Sequence, residues 1–367
     1  MKIVFIILIT IHGLIHLLGF VKAYNLAPIN QLGKDISKLN GIIWLISTIL
    51  FIITAILFFI NKDSWWILSA ISIIISQYLI FVSWQDAKFG TIANLIILIV
   101  TIIGFGVWSF SGKYKNEVTT YLNQTSGIKE TILTETDIRN LPESVKKYIR
   151  LSGAVGKPKV INFKIEFSGQ IRKNEQSEWM PFKSEQYNFL DASVRLFFMN
   201  AEMKHLPVAG FHCFNNGIAF MDIRLFSLFK VQYQSGKEMG TAETVTFFND
   251  MCCMAPAALI DKRIKWLDDD SNKVKAEFTN NGITIFAILY FNDKGELINF
   301  ISGDRYAAEE NGTMRKLPWS TPLKDYKKFN DYYLAGYADA VYTYPEGDLC
   351  YGNFRLNNID YNCKEFK

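Results

Sequence analysis

The first 111 residues contain no arginine and no glutamate. Their only charged groups are six lysines (Lys2, Lys22, Lys34, Lys38, Lys62, Lys88) and three aspartates (Asp35, Asp63, Asp86). So few charges exclude a wholly soluble protein, and the high apolar content excludes a disordered one. The other 256 residues carry 33 basic and 32 acidic groups and no basic run. That balance argues against a nucleic-acid partner. Cysteine is sparse, at five, and none stands in a CxxC motif. Cys252 and Cys253 are adjacent and would diverge on a helix, so burial is their plain reading. Cys350 and Cys363 are left as a pair that an exported domain could bridge. The chain has no Gly-x-Ser-x-Gly elbow, no phosphate loop and no dinucleotide fingerprint. His205 and His212, separated by Pro207 and Gly210, match no zinc signature. Asp268-Asp269-Asp270 reads as a solvated turn, with too few oxygen ligands for calcium. Neither a metal nor another cofactor is expected.

Long apolar runs, by contrast, are plentiful. Ile3–Val21, Leu39–Ile60, Ser64–Gln85 and Phe89–Gly112 are free of charge and span 19, 22, 22 and 24 residues. About 20 apolar residues cross a bilayer core, and in lipid the backbone must satisfy itself as a helix. The expectation is a four-helix transmembrane region over residues 1–112, with the lipid bilayer as partner. Trp65, Trp66, Trp84, Trp108 and Tyr114 sit near span ends, as interfacial anchors do. No small-x-small site follows the first span, so it reads as a retained helix rather than a signal peptide. The flanking lysines divide four against four, giving the positive-inside rule nothing to act on. The dense loop from Lys22 to Lys38 tips the reading toward the cytoplasm, which places the C-terminal domain outside it.

No acidic residue lies within any span, which leaves an ion-coupled transporter little to work with. The intramembrane polar pair is His12 and His16, in Ile11-His-Gly-Leu-Ile-His16. Spacing i,i+4 puts both imidazoles on one helix face. Hydrogen bonding to Gln77, Tyr78 or Asn94 on other helices is the plain reading. A shared metal or proton handling is the functional alternative.

Residues 113–140 read as a polar connector, and residues 141–367 as a water-soluble β-rich domain. Pro142 opens a short helix that Ser152-Gly153 ends. From Val160 the apolar period becomes two: Ile161, Phe163, Ile165 and Phe167 alternate with polar residues, as in a half-buried strand. Strands are expected around 179–190, 194–203, 210–222 and 227–234, then at Lys273–Thr279, Ile283–Phe291 and Leu297–Ser302. The second of these last three is apolar on both faces, as if covered on both sides. One helix interrupts them, capped at Thr241, with Val245, Phe248, Met251, Cys252, Ala255 and Leu259 at helical spacing. Pro256 should kink or divide it. The fold class is therefore α+β: a mostly antiparallel curved sheet, an open half-barrel, packed around a helix. Its concave side could shelter an apolar ligand.

Two polar groups interrupt the apolar pattern: Asn249-Asp250 in the helix, and Asp304-Arg305-Tyr306 after the last of those strands. A buried Asp–Arg pair would lock the core. The same residues, with Trp319 from the aromatic tail, are the candidate ligand contacts: Asn249, Asp250, Asp304, Arg305, Tyr306 and Trp319. No catalytic residue is assigned.

Several stretches carry a resemblance. They are Ile11-His-Gly-Leu-Ile-His-Leu-Leu-Gly-Phe20, Ala242-Glu-Thr-Val-Thr-Phe-Phe-Asn-Asp-Met-Cys252, Ala255-Pro-Ala-Ala-Leu-Ile-Asp261, Ser302-Gly-Asp-Arg-Tyr306, Tyr344-Pro-Glu-Gly347 and Ile359-Asp-Tyr-Asn362. With these the chain resembles an uncharacterised family of bacterial membrane proteins with a C-terminal domain of unknown function. The resemblance implies an integral protein of the bacterial cytoplasmic (inner) membrane and transfers no activity. In architecture the soluble part is similar to lipoprotein-carrier domains, where an open sheet wraps a helix and shelters lipid. The favoured expectation is a membrane-anchored, non-catalytic binding domain for an apolar ligand, a lipid or acyl chain. An enzyme acting on an envelope lipid or small molecule is the alternative, with Asp250, Asp304, Arg305 and Tyr306 converging. A structural or signalling partner of another membrane protein is the third.

Overall fold

The computed structural model describes residues 2–270, 272–309 and 312–367. The chain forms two compact units, Met1–Ser111 and Gly112–Lys367.

In the first unit, α1 (Lys2–Ala23), α2 (Lys38–Phe59) and α3 (Trp65–Val82) are followed by the short α4 (Trp84–Ala87) and by α5 (Gly90–Thr125). Helices α1, α2, α3 and α5 are long and apolar enough to cross a membrane. Small residues bring α1 and α2 together: a Cβ at Gly19 would overlap the Trp44 ring, and one at Gly13 the Phe51 side chain. Phe5, Ile9, Phe51, Ala55 and Trp65 form the shared core. The polar stretch after residue 112 is not loose chain at its start. It continues α5 to Thr125, and there Tyr114, Val118 and Leu122 are buried.

The second unit opens with α6 (Glu135–Ile138) and α7 (Glu143–Leu151). Six strands follow: β1 (Asn162–Ile171), β2 (Met180–Phe189), β3 (Val194–Met203), β4 (Leu206–Asn215), β5 (Ile218–Leu225) and β6 (Phe229–Ser235). Then come α8 (Lys237–Met254) and a 3-10 turn at Pro256–Ile260. Seven more strands complete the chain: β7 (Ile264–Asp270), β8 (Lys273–Asn280), β9 (Ile283–Phe291), β10 (Leu297–Ala308), β11 (Met314–Phe329), β12 (Tyr332–Tyr344) and β13 (Gly347–Tyr361). All thirteen belong to one antiparallel sheet, ordered 6-5-4-3-2-1-13-12-11-10-9-8-7. Neighbours in sequence are neighbours in the sheet except β6 and β7, which form its two edges, and β1 pairs with β13. The sheet curls into a half-barrel, and α8 connects its two edge strands.

Four expectations change. The strand expected over 210–222 is two strands, because Asn216 and Gly217 both take positive φ and turn the chain between β4 and β5. The aspartates 268–270 end β7 rather than forming a turn, since the strand pairs with β8 to its last residue. The helix starts before Thr241, with Gly236 as its N-cap, while Pro256 divides it as expected, opening a separate 3-10 turn. Strand β9 is covered on one face only: Ile285, Ala287 and Leu289 are buried, while Phe286 is 42% exposed.

Helix α8 is the centre of the core. Every residue from Ala242 to Met254 is buried. A helix hidden on all faces needs apolar partners all round. Phe247 meets Phe214 from β4, and Phe248 lies on Phe278 from β8. The outer face of the sheet is covered locally, where Tyr114 stacks on Phe198 and Phe366 on Tyr187.

Candidate functional site

The strand register fixes which side chains face α8. Along β3 they are Arg195, Phe197, Met199, Ala201 and Met203; along β4, Phe214, His212, Gly210, Val208 and Leu206. These positions pass from charged to apolar along the strand.

At the charged end sits a closed network. Arg195 donates from Nε to Asp250 Oδ2 (2.8 Å) and from Nη1 to Glu243 Oε2 (3.0 Å). Its Nη2 donates to Gln186 Oε1 (3.0 Å). Gln186 and Asn188 each donate to Asp250 Oδ2, at 2.7 and 3.2 Å. All five residues are buried. Burial alone would raise the Glu243 carboxyl. Arg195 and Arg305 beside it hold it below the usual carboxylate range.

Across α8 from Arg195 stands Arg305 of β10. Its Nη1 donates to the Ala242 carbonyl (2.9 Å) and to Thr246 Oγ1, and its Nε to the Tyr342 hydroxyl (3.1 Å). Its guanidinium lies 4.5 Å from the centroid of Trp319. Trp319 donates from Nε1 to the Tyr351 hydroxyl (3.2 Å).

Of the candidate contacts, Asp250, Arg305 and Trp319 therefore share the interior. Asp250 pairs with Arg195, not with Arg305. Asn249 is buried beside Cys253, whose thiol donates to its side-chain oxygen. Asp304 and Tyr306 lie on the other side of β10. A bulge between Ser302 and Arg305 shifts the register there, and Tyr306 pairs with Lys316. Asp304 accepts from the Phe286 amide (2.8 Å) and bridges Lys316 Nζ (2.7 Å). The catalytic alternative needed Asp250, Asp304, Arg305 and Tyr306 in one pocket, and the sheet separates them. Sequence reasoning missed Arg195, Glu243, Gln186 and Asn188.

His212 adds a titratable group to the charged end. Its ring meets Phe197 edge-on, at 5.4 Å. Burial pushes it down to about 4; Glu243 opposes this, while Arg195 and Arg305 add to it. The unfolded chain binds a proton near 6.5, whereas folded His212 resists until about 4. Stability supplied by neutral His212 is thus complete above the unfolded value and is lost as pH falls from 6.5 toward 4. The loss should approach about 3 kcal/mol. Urea midpoints measured across that window should fall in the parent chain, and His212→Leu should flatten the slope. An unchanged slope in the variant would remove His212 as its source.

The apolar end is different. Phe182, Ala201 and Val208 are nearly sealed, but further out Met203 is 37%, Leu206 41% and Phe229 65% exposed. The register places all six on the face that carries Arg195. Met203 is eight residues beyond Arg195, about 26 Å along the strand. A concave apolar strip therefore leads outward from the charged end and is uncovered at its rim. Elsewhere a cleft of about 380 Å³ is lined by polar groups, among them Asp191, Asp261 and Arg263. There Arg263 is spent on Asp261, Ser193, Asn280 and the Leu190 carbonyl.

In the first unit His12 and His16 join a hydrogen-bonded network. His12 Nε2 meets Asn94 Oδ1 (2.9 Å), and His16 Nε2 meets Ser76 Oγ (2.8 Å). His16 Nδ1 lies 2.8 Å from the His12 carbonyl, so it donates there and Nε2 accepts from Ser76. Asn94 also donates to Gln77 (3.1 Å). Tyr78 is half exposed. Among the described residues no three His, Cys, Asp or Glu side chains are placed to hold a metal ion. All five cysteines are free, Cys350 and Cys363 included.

A family model described as "Family of unknown function (DUF6544)" matches residues 131–354. No curated protein matches the chain. Among solved structures, a DUF1329 family protein from Desulfovibrio piger is similar at 11% identity and a TM-score of 0.31. That match covers 59% of this chain and 91% of the other. A β-barrel-like protein of domain of unknown function DUF1849, from Brucella abortus, is similar at 10% identity and a TM-score of 0.17, over 55% and 98% of the two chains. At those scores neither likeness carries an argument about function.

Proposed function

The chain belongs to the DUF6544 family, described as being of unknown function; from its own residues we propose a membrane-anchored domain that binds an apolar ligand, a lipid or acyl chain, on the concave face of its sheet. Helices α1, α2, α3 and α5 are the anchor. The observation that carries the reading is the uncovered apolar rim of Leu206, Met203 and Phe229. Three large apolar side chains stand exposed on an inward face, and burying them on a ligand is favourable by about 25 cal/mol per Å². The interior around α8 is filled by α8 itself, so the ligand occupies the strip and not the centre. A carrier and a membrane-held receptor share this chemistry.

The test uses the full chain in nanodiscs of one lipid, doped with a diazirine-bearing lipid probe. After irradiation, labelled peptides are identified by mass spectrometry. Labels should appear on α1, α2, α3 and α5, and in addition on residues 199–208 and 225–231. Met203→Asp with Leu206→Asp should remove the second set by about tenfold and leave the first unchanged. Labelling confined to the four apolar helices would sink the proposal.

A further inference from the structure

The apolar rim is made by the tips of two hairpins. Met203 and Leu206 bound the β3–β4 turn, and Phe229 follows the β5–β6 turn. The Phe226 amide donates to the Pro207 carbonyl (2.9 Å), which joins the two tips. Lys204 and Lys230 stand exposed beside them, and the Glu202 carboxylate at the same end is held by His205 (3.0 Å). Inward of the rim, Phe182, Met199, Ala201 and Val208 are buried, so whatever covers the rim comes from beyond the tips. Large apolar side chains gathered at a tip and flanked by lysine suit the headgroup layer of a membrane.

The second unit also shows on which side its chain leaves for the apolar run before it. Residues 112–125 of α5 lie on the outer face of the sheet. Tyr121 meets Phe189 and accepts from Asn215, at the end of β3 and β4 where Val194 pairs with Asn215. Tyr114, seven residues earlier, stacks on Phe198 and meets Phe211, each four residues further along its strand. Followed from Thr125 back to Gly112, the helix therefore runs toward the tips. Met203 is five residues beyond Phe198, about 17 Å. Gly112, which closes the apolar run Phe89–Gly112, is two residues before Tyr114, about 3 Å. On that heading the tips extend past the level at which the apolar run ends.

We propose that the β3–β4 and β5–β6 tips dock into the interfacial layer of the bilayer that anchors this chain. Met203, Leu206 and Phe229 enter among the first acyl carbons, and Lys204 and Lys230 meet the phosphates. This inference rests on the binding reading above and adds the source of the lipid to it: the rim meets its acyl chain in the membrane.

The experiment places the full chain in nanodiscs that contain anionic lipid and one of two diazirine phospholipids. The two differ only in depth, with the diazirine on an early acyl carbon or at the chain end. Residues 203–206 and 226–230 should take several times more label from the shallow probe than from the deep one, whereas α1, α2, α3 and the apolar part of α5 take both. Ile218, exposed at the opposite end of β4 and β5, should take neither. Lys204→Glu with Lys230→Glu should lower tip labelling about tenfold and leave helix labelling unchanged. Equal labelling of the tips by the two probes overturns docking and leaves the binding reading standing, since a lipid lifted onto the sheet brings both depths with it. So does tip labelling that survives the double charge reversal. Absence of tip label from both probes overturns the binding reading together with docking. Both lysines are exposed, and the parent-chain comparison decides the matter even if the charge-reversed chain does not fold.

Discussion

Arg195→Met should destabilise the C-terminal unit by about 3–5 kcal/mol, although methionine nearly refills the space. Asp250 would be left buried without its cation, Glu243 would keep only Arg305 nearby, and Gln186 would lose a donor to its side-chain oxygen. The cost comes from stranded charge, not from lost packing, and two further results separate the causes. Combining Arg195→Met with Asp250→Asn and Glu243→Gln should recover much of the loss, because no ion then remains to be solvated. In the single variant the two buried carboxylates would lose the cation that favours their charged forms. Their penalty is present at high pH and fades as protons bind, so the deficit should shrink on mild acidification. The measurement is a urea midpoint followed by modification of Cys252 and Cys253. Both thiols are fully buried free cysteines, and burial raises them well above the ordinary thiol range. Their labelling reports the opening of the interior around α8 in the full chain. If the triple variant were as unstable as the single one, the network would be acting through shape, and the charge account would be wrong.

That network also shows where sequence reasoning stops. The sheet was legible because β1, β2, β3 and β6 alternate or run apolar between turn residues. The helix was legible from its spacing of three and four. Strands β4 and β5 were merged although Asn216-Gly217, a strong hairpin signal, lies between them. Strand β7 was hidden by three aspartates that look like a turn but pair with β8. Asp250, Arg305 and Trp319 drew attention as polar or aromatic breaks in apolar surroundings. Arg195 did not, since one arginine in Val194-Arg-Leu-Phe-Phe-Met199 reads as an outward residue of a strand. Yet signals existed. Gln186 and Asn188 are two apart, hence on one strand face, and Glu243 and Asp250 are seven apart, hence on one helix face. Asp304-Arg305-Tyr306 misled for the opposite reason. Consecutive strand residues alternate faces, so three adjacent polar residues cannot share a pocket, and the bulge before Arg305 decides which one turns inward. The exposed rim had no signal at all, because Met203, Leu206 and Phe229 look like any other apolar strand residues until their cover is found missing.

Phe248→Ala should cost about 3–5 kcal/mol, the range for deleting a fully buried ring whose surroundings relax only in part. Phe248 lies flat on Phe278, with centroids 4.7 Å apart and planes at 7°, and meets Phe300 edge-on at 5.7 Å. Phe300 in turn meets Trp319, the ring beneath Arg305. One side chain thus ties α8 to β8 and β10 and, through Phe300, supports the ring on which Arg305 lies. Phe248→Leu should cost less than half as much, since it leaves a smaller void. Phe229→Ala is the contrast. Its ring is 65% exposed at the rim, so its removal should change stability by no more than about 0.5 kcal/mol. The same substitution should weaken probe labelling of residues 225–231. A residue that costs the fold nothing but takes labelling with it acts in binding, whereas Phe248 acts in the core. Should Phe248→Ala cost less than about 1 kcal/mol, the space around α8 would already be loose. The ligand would then belong beside the helix, and the rim would be only its entrance.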